Sequence, residues 1–68
     1  MNFSKRLKEL RISNNLTQPK LGEIVGVKKQ MINDMEHGRA NPSMKTLIAL
    51  ADYFGVSTDY LIGRSDVR

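Results

Sequence analysis

The chain has 68 residues, 7.7 kDa, 40% apolar side chains and no cysteine, which permits one small core and excludes a two-domain or disulfide-stapled design. So short a chain buries only about 60% of its unfolded surface and has little wall for a catalytic pocket; no apolar run approaches the roughly 20 residues of a membrane span, and no signal peptide is legible, so a soluble, cytoplasmic protein is expected. Eleven Lys and Arg against seven Asp and Glu leave a net charge of +4, which suggests an anionic partner.

Five helices are expected, and no strand. Phe3, Leu7 and Leu10 recur at helical spacing among Lys, Arg and Glu, predicting an amphipathic helix from about Phe3 to Asn14 with Asn2 as its N-cap. Thr17 caps a second helix of about eight residues, with Pro19 in its first turn, Leu21, Ile24 and Val25 as apolar positions and Gly26 as its stop. A third, from Lys28 to His37, places Ile32 and Met35 on one side, with Met31 at the margin, and ends at Gly38. With Ser43 as N-cap, Leu47, Leu50, Ala51 and Phe54 follow at i, i+3, i+4, i+7 before Gly55. Ser57 caps a short fifth helix through Ile62, closed by Gly63, and the polar residues 64–68 are expected to fray.

Two short helices joined by about three residues around Val25, Gly26 and Val27 cannot lie side by side and must cross steeply, which is the helix-turn-helix arrangement. Gly22, four residues before the turn glycine, allows close approach, although glycine inside a helix costs about 1 kcal/mol relative to alanine. Projection of residues 28–36 at 100° per residue sets Lys29, Gln30, Asn33 and Asp34 on the arc opposite Ile32 and Met35. On an isolated helix such an arc is ordinarily just solvated. Here it follows a tight turn, it is short enough for a major groove, and Lys29, Gln30 and Asn33 are side chains that read base edges. Asp34 is repelled by phosphate, so it accepts from a cytosine amino group, rejects wrong sequences or lies beyond the groove. Residues 1–45 carry nine basic and four acidic side chains and residues 46–68 two and three. The positive field thus lies on the N-terminal two-thirds, where Lys20 is a further phosphate contact.

The chain resembles the lambda Cro and CI type of helix-turn-helix repressor, the Xre-like family, through Arg6-Leu7-Lys8-Glu9-Leu10-Arg11, Leu16-Thr17-Gln18, Leu21-Gly22, Val25-Gly26-Val27, Ile32, Met35-Glu36-His37-Gly38, Asn41-Pro42-Ser43, Leu47, Leu50-Ala51 and Phe54-Gly55-Val56-Ser57 with Tyr60-Leu61. The resemblance implies an all-α, five-helix, lambda-repressor-like domain over residues 1–68. It implies that Gln18 contacts phosphate and steadies the recognition helix. Base reading would fall on Lys28, Lys29, Gln30 and Asp34, with Asn33 beside them; His37, Arg39 and Asn41 would meet the backbone, and Arg11 would pair with Glu36. The family pattern is departed from in three places. Lys28 stands where a capping Ser, Thr or Asp is usual, Pro19 and Lys20 stand where acidic residues are common, and Gly22 replaces the usual Ala, which is expected to loosen helix 2.

No nucleophile, base and orienting group fall at a catalytic spacing, and the lone His37 cannot build a metal site, so neither enzyme, cofactor, metal nor small-molecule substrate is expected. Met31, Met35 and Met44 are expected as core or near-core filler, Met31 being also able to touch a thymine methyl, and Tyr53 and Tyr60 as half-buried packing. Tyr60, Leu61 and Ile62 in succession span some 200° of a helix. One should therefore face outward, and Ile62, or else Tyr60, is expected in a small homodimer interface that leaves the basic end free. The function expected is a dimeric repressor that occludes a near-palindromic operator in double-stranded DNA. The competing class is a protein-interaction module, an antitoxin or a polymerase-binding phage regulator, which would expose apolar anchors on the arc.

Overall fold

A computed structural model of the chain describes residues 2–68 and contains five helices, α1 (Phe3–Ser13), α2 (Gln18–Val25), α3 (Lys29–Glu36), α4 (Met44–Phe54) and α5 (Thr58–Leu61), with no strand among the described residues. Three of the expected caps act through their side chains: Thr17, Ser43 and Ser57 each accept from the backbone N–H three residues on, satisfying an orphan donor of the first turn. Asn2 and Lys28 occupy N-cap positions without such a bond. For Lys28 the reason is chemical, since an ammonium only donates. Asn15 ends α1 in the left-handed region (φ 58°), which asparagine tolerates better than other non-glycine residues.

Leu7, Leu21, Ile32, Met35, Leu50 and Leu61 are completely buried, so every helix sends at least one side chain into one core; Phe3, Leu10, Ala51 and Val56 complete it. The periodicities at 3, 7, 10 and 47, 50, 51, 54 face this core, Leu47 and Phe54 being partly buried against it. The methionines divide. Met35 is core, but Met31 is 40% and Met44 69% exposed, so neither is filler. Met44 is the first residue of α4 and lies outside the packed stripe.

α2 and α3 cross at the turn 26–28. A Cβ added to Gly22 would stand 2.5 Å from the Val27 carbonyl oxygen and 3.3 Å from the Lys28 carbonyl carbon, so this glycine brings the turn in contact with α2, where the sequence suggested looseness. Gly26 ends α2 at φ 82°, the positive value that a side chain would strain.

Residues 64–68 fold back onto α1 instead of fraying. Arg6 donates from Nη1 to the carbonyl oxygens of Tyr60 and Ser65, both at 2.5 Å, and from Nη2 to Asp66 Oδ1 at 2.7 Å. The Ser57 N–H donates to the Arg68 carbonyl oxygen at 2.8 Å. A polar composition permits fraying, but here it supplies two of the three acceptors of a cation whose side chain is only 14% exposed.

Candidate nucleic-acid interface

The site is assembled around one ion pair between α1 and the end of α3. Arg11 Nε and Nη2 donate to the two carboxylate oxygens of Glu36 at 2.6 and 3.0 Å, a bidentate geometry, and the Glu36 side chain is 1% exposed. Arg11 Nη1 donates to the Leu16 carbonyl, which closes the α1–α2 turn. The hydrogen bonds to Glu36 hold the Arg11 guanidinium above its ordinary pKa; burial pulls the other way and the carboxylate's Coulombic attraction adds to the rise. A raised cation stabilises the fold at every pH below its unfolded value, and that contribution is lost only as pH climbs through the folded one. The arginine half of the pair is therefore insensitive to pH throughout the neutral range.

From this pair a chain of polar contacts runs outward. Gln18 Nε2 donates to Glu36 Oε1 at 3.2 Å, and Gln18 Oε1 accepts from Asn33 Nδ2 at 3.4 Å. Asn33 Oδ1 accepts from Arg39 Nη2 at 2.8 Å, Arg39 Nε donates to Asp34 Oδ1 at 3.2 Å, and the same oxygen accepts from Gln30 Nε2 at 3.0 Å. The start of α2, the outward arc of α3 and the loop beyond it thus form one strip. Each amide in the strip has its nitrogen facing an acceptor, so its orientation is set by chemistry.

The expected site residues divide accordingly. Gln18, Gln30, Asn33, Asp34 and Arg39 are joined in the strip. Lys20, Lys28, Lys29 and Asn41 are exposed around it, Lys20 reaching Glu23 only at 4.0 Å, a surface pair of little energetic weight. His37 caps α3 with its ring Nδ1 donating to the Asn33 carbonyl oxygen at 2.8 Å, which leaves Nε2 of the neutral ring an acceptor and not a donor for phosphate. Asn33 is engaged at both ends of its amide, by Gln18 and by Arg39, and keeps one N–H. Asp34 shares its Oδ1 between Arg39 and Gln30.

Tyr60 and Ile62 lie away from this strip, and neither is turned fully outward: both are partly buried against the core. The Arg6 guanidinium carbon sits 4.1 Å and that of Arg68 5.3 Å from the centre of the Tyr60 ring. The largely exposed apolar side chains are others, Met44, Val67 and Ile12 foremost. The clamp by Arg6 was invisible in the sequence, since its partners lie 54 to 60 residues away. The Gln30–Asp34 contact did leave a signal, a Gln and an Asp four apart on one helix.

A helix-turn-helix family model matches residues 7–61. Among curated relatives, a prophage-derived HTH-type transcriptional regulator of Bacillus subtilis, YonR, is 38% identical over 60 residues, covering 88% of this chain and 56% of its own length. An HTH-type transcriptional regulator of Methanocaldococcus jannaschii is 39% identical over 54 residues, covering 79% of this chain and 82% of its own. Among solved structures, the P22 c2 repressor in complex with a synthetic operator superposes with a TM-score of 0.83 at 30% identity, covering 87% of this chain and 89% of that one. The chain spans about half the length of the first curated relatives it matches.

Proposed function

The chain belongs to the helix-turn-helix family, and from that premise we propose that it binds double-stranded DNA sequence-specifically in the cytoplasm and represses transcription by occupying an operator. The observation that carries this is the strip: a recognition helix whose outward arc presents Gln30, Lys28 and Lys29, locked in orientation through Gln18 and Glu36 to α1. Lys20, Arg39 and Asn41 surround it as donors for phosphate. Against the protein-interaction reading, the arc carries one apolar side chain, Met31 at its edge, and interaction modules anchor through several.

Selection of binding sites from random duplex DNA tests the proposal. An enriched near-palindrome is expected, and Gln30→Ala should cost about 1 to 3 kcal/mol at one base pair per half-site with little change on non-specific DNA. Equal loss on all sequences would make Gln30 a backbone contact; no enrichment would remove sequence-specific binding altogether.

Two copies would place their recognition helices about 34 Å apart in successive major grooves. We assign their contact to the C-terminal end, through the uncovered edges of Ile62 and Tyr60, because residues 46–68 carry almost no net charge to oppose self-association. Sedimentation at rising concentration should show wild type dimerising and Ile62→Asp remaining monomeric; Val67→Asp, which spares the core, is the second variant. If wild type and both variants stay monomeric and bind the palindrome equally, the contact lies elsewhere.

A further inference from the structure

Base reading by Gln30 does not by itself require the contact this side chain makes. Gln30 Nε2 lies 3.0 Å from Asp34 Oδ1, and Arg39 Nε donates to that same oxygen at 3.2 Å while its Nη2 holds Asn33. Gln30 and Asp34 stand one turn apart, so α3 itself brings them together. An ionised carboxylate only accepts, so the amide edge facing Asp34 is nitrogen, and one N–H and the carbonyl oxygen remain for anything outside.

We infer that Asp34 is a positioning residue for sequence specificity: by taking one amide hydrogen of Gln30 it leaves a one-donor, one-acceptor edge that fits adenine and not guanine. In the major groove adenine offers the N7 acceptor and the N6 amino donor, whereas guanine offers two acceptors, N7 and O6. A free glutamine amide can turn both hydrogens toward guanine. One held by Asp34 has a single hydrogen left, and its oxygen then faces O6. The negative charge of Asp34 beside the same edge also opposes an approaching acceptor. Arg39 fixes Asp34 and offsets its charge toward the flanking phosphates, which is how a carboxylate is tolerated on this arc.

The inference rests on Gln30 reading a base, and the experiment separates the two. In the selected site, the base pair whose preference disappears in Gln30→Ala identifies the Gln30 position. Titration of duplexes carrying adenine or guanine there gives the discrimination ratio for wild type, Asp34→Asn and Asp34→Ala. Wild type should favour adenine by about tenfold or more. Asp34→Ala should drop to within about threefold while its affinity for non-specific DNA rises, because a carboxylate has left the interface. Asp34→Asn, which keeps an acceptor oxygen without the charge, should fall between them. A merely structural role would lower binding to both duplexes alike and leave the ratio standing. If Asp34→Ala keeps the wild-type ratio, or if wild type favours guanine, the positioning role is overturned while Gln30 remains a base reader. If no base pair depends on Gln30, base reading fails and the positioning role fails with it.

Discussion

Glu36→Ala is expected to destabilise the domain by about 3 to 5 kcal/mol, because it strands a largely buried guanidinium. The Arg11 side chain is 13% exposed and gives two of its nitrogens to this one carboxylate. Gln18 would lose its acceptor in the same step. A domain of this length has a total stability of only about 3 to 10 kcal/mol, so one substitution removes a large share of it. Thermal unfolding followed by circular dichroism should show a fall of at least about 12 °C. A fall of under about 5 °C would mean that the pair behaves as a solvent-screened surface bridge. The pair also differs from a hydrophobic contact in what replaces it well. A variant with Arg11 and Glu36 both changed to apolar residues of similar volume should recover much of the loss, since the cost lies in the unpaired charge.

DNA affinity is expected to collapse with salt. A dimer that neutralises about six to ten phosphates gives a slope of log K against log salt of about minus 5 to minus 9, a loss of roughly a thousand- to a hundred-thousand-fold between 50 and 200 mM. The donors are Lys20 and the Arg39 Nη1 not engaged with Asn33 or Asp34. Lys20→Ala should reduce the magnitude of the slope by about one for each copy bound and weaken all sequences alike. Titrations at four or five salt concentrations measure it. A flat response would exclude phosphate binding as the source of affinity.

The helices were legible because their punctuation is local. Thr17, Ser43 and Ser57 cap, and Gly26 and Gly55 stop in left-handed geometry, within a residue or two of where the sequence places them. The Arg11–Glu36 pair was legible only through family resemblance, since nothing in either residue's neighbourhood marks a partner 25 positions away. A helical projection places Asn33 on the outward arc by angle alone and shows none of its partners. The start of α2 and the 37–39 loop reach around α3 and claim both of its amide atoms. Neither Tyr60 nor Ile62 turns fully outward, for a related reason. α5 is a single turn that ends at Leu61, so Ile62 has already left the helix, and one face of the Tyr60 ring is covered by Arg6 from α1. Composition likewise hides the docking of 64–68, because acceptor carbonyls exist in every sequence and only the fold decides which cation they meet.

The clamp of Arg6 on Tyr60, Ser65 and Asp66 sets a schedule for how the domain is made. The helix-turn-helix is finished in sequence order well before α5, yet the side chain that secures α1 waits for partners about 60 residues downstream. At about 5 to 20 residues per second of synthesis, roughly 3 to 12 s separate Arg6 from its acceptors, whereas small helical domains fold in microseconds to milliseconds once their contacts exist. During that interval Phe3 and Leu7 have no Leu61 to bury against, and the nascent chain carries a basic, half-assembled recognition unit with its apolar stripe open. Closure of the core therefore completes only with the arrival of the last turn, whereas the partners that tie the recognition helix to α1, Arg11, Gln18 and Glu36, are all made by residue 36.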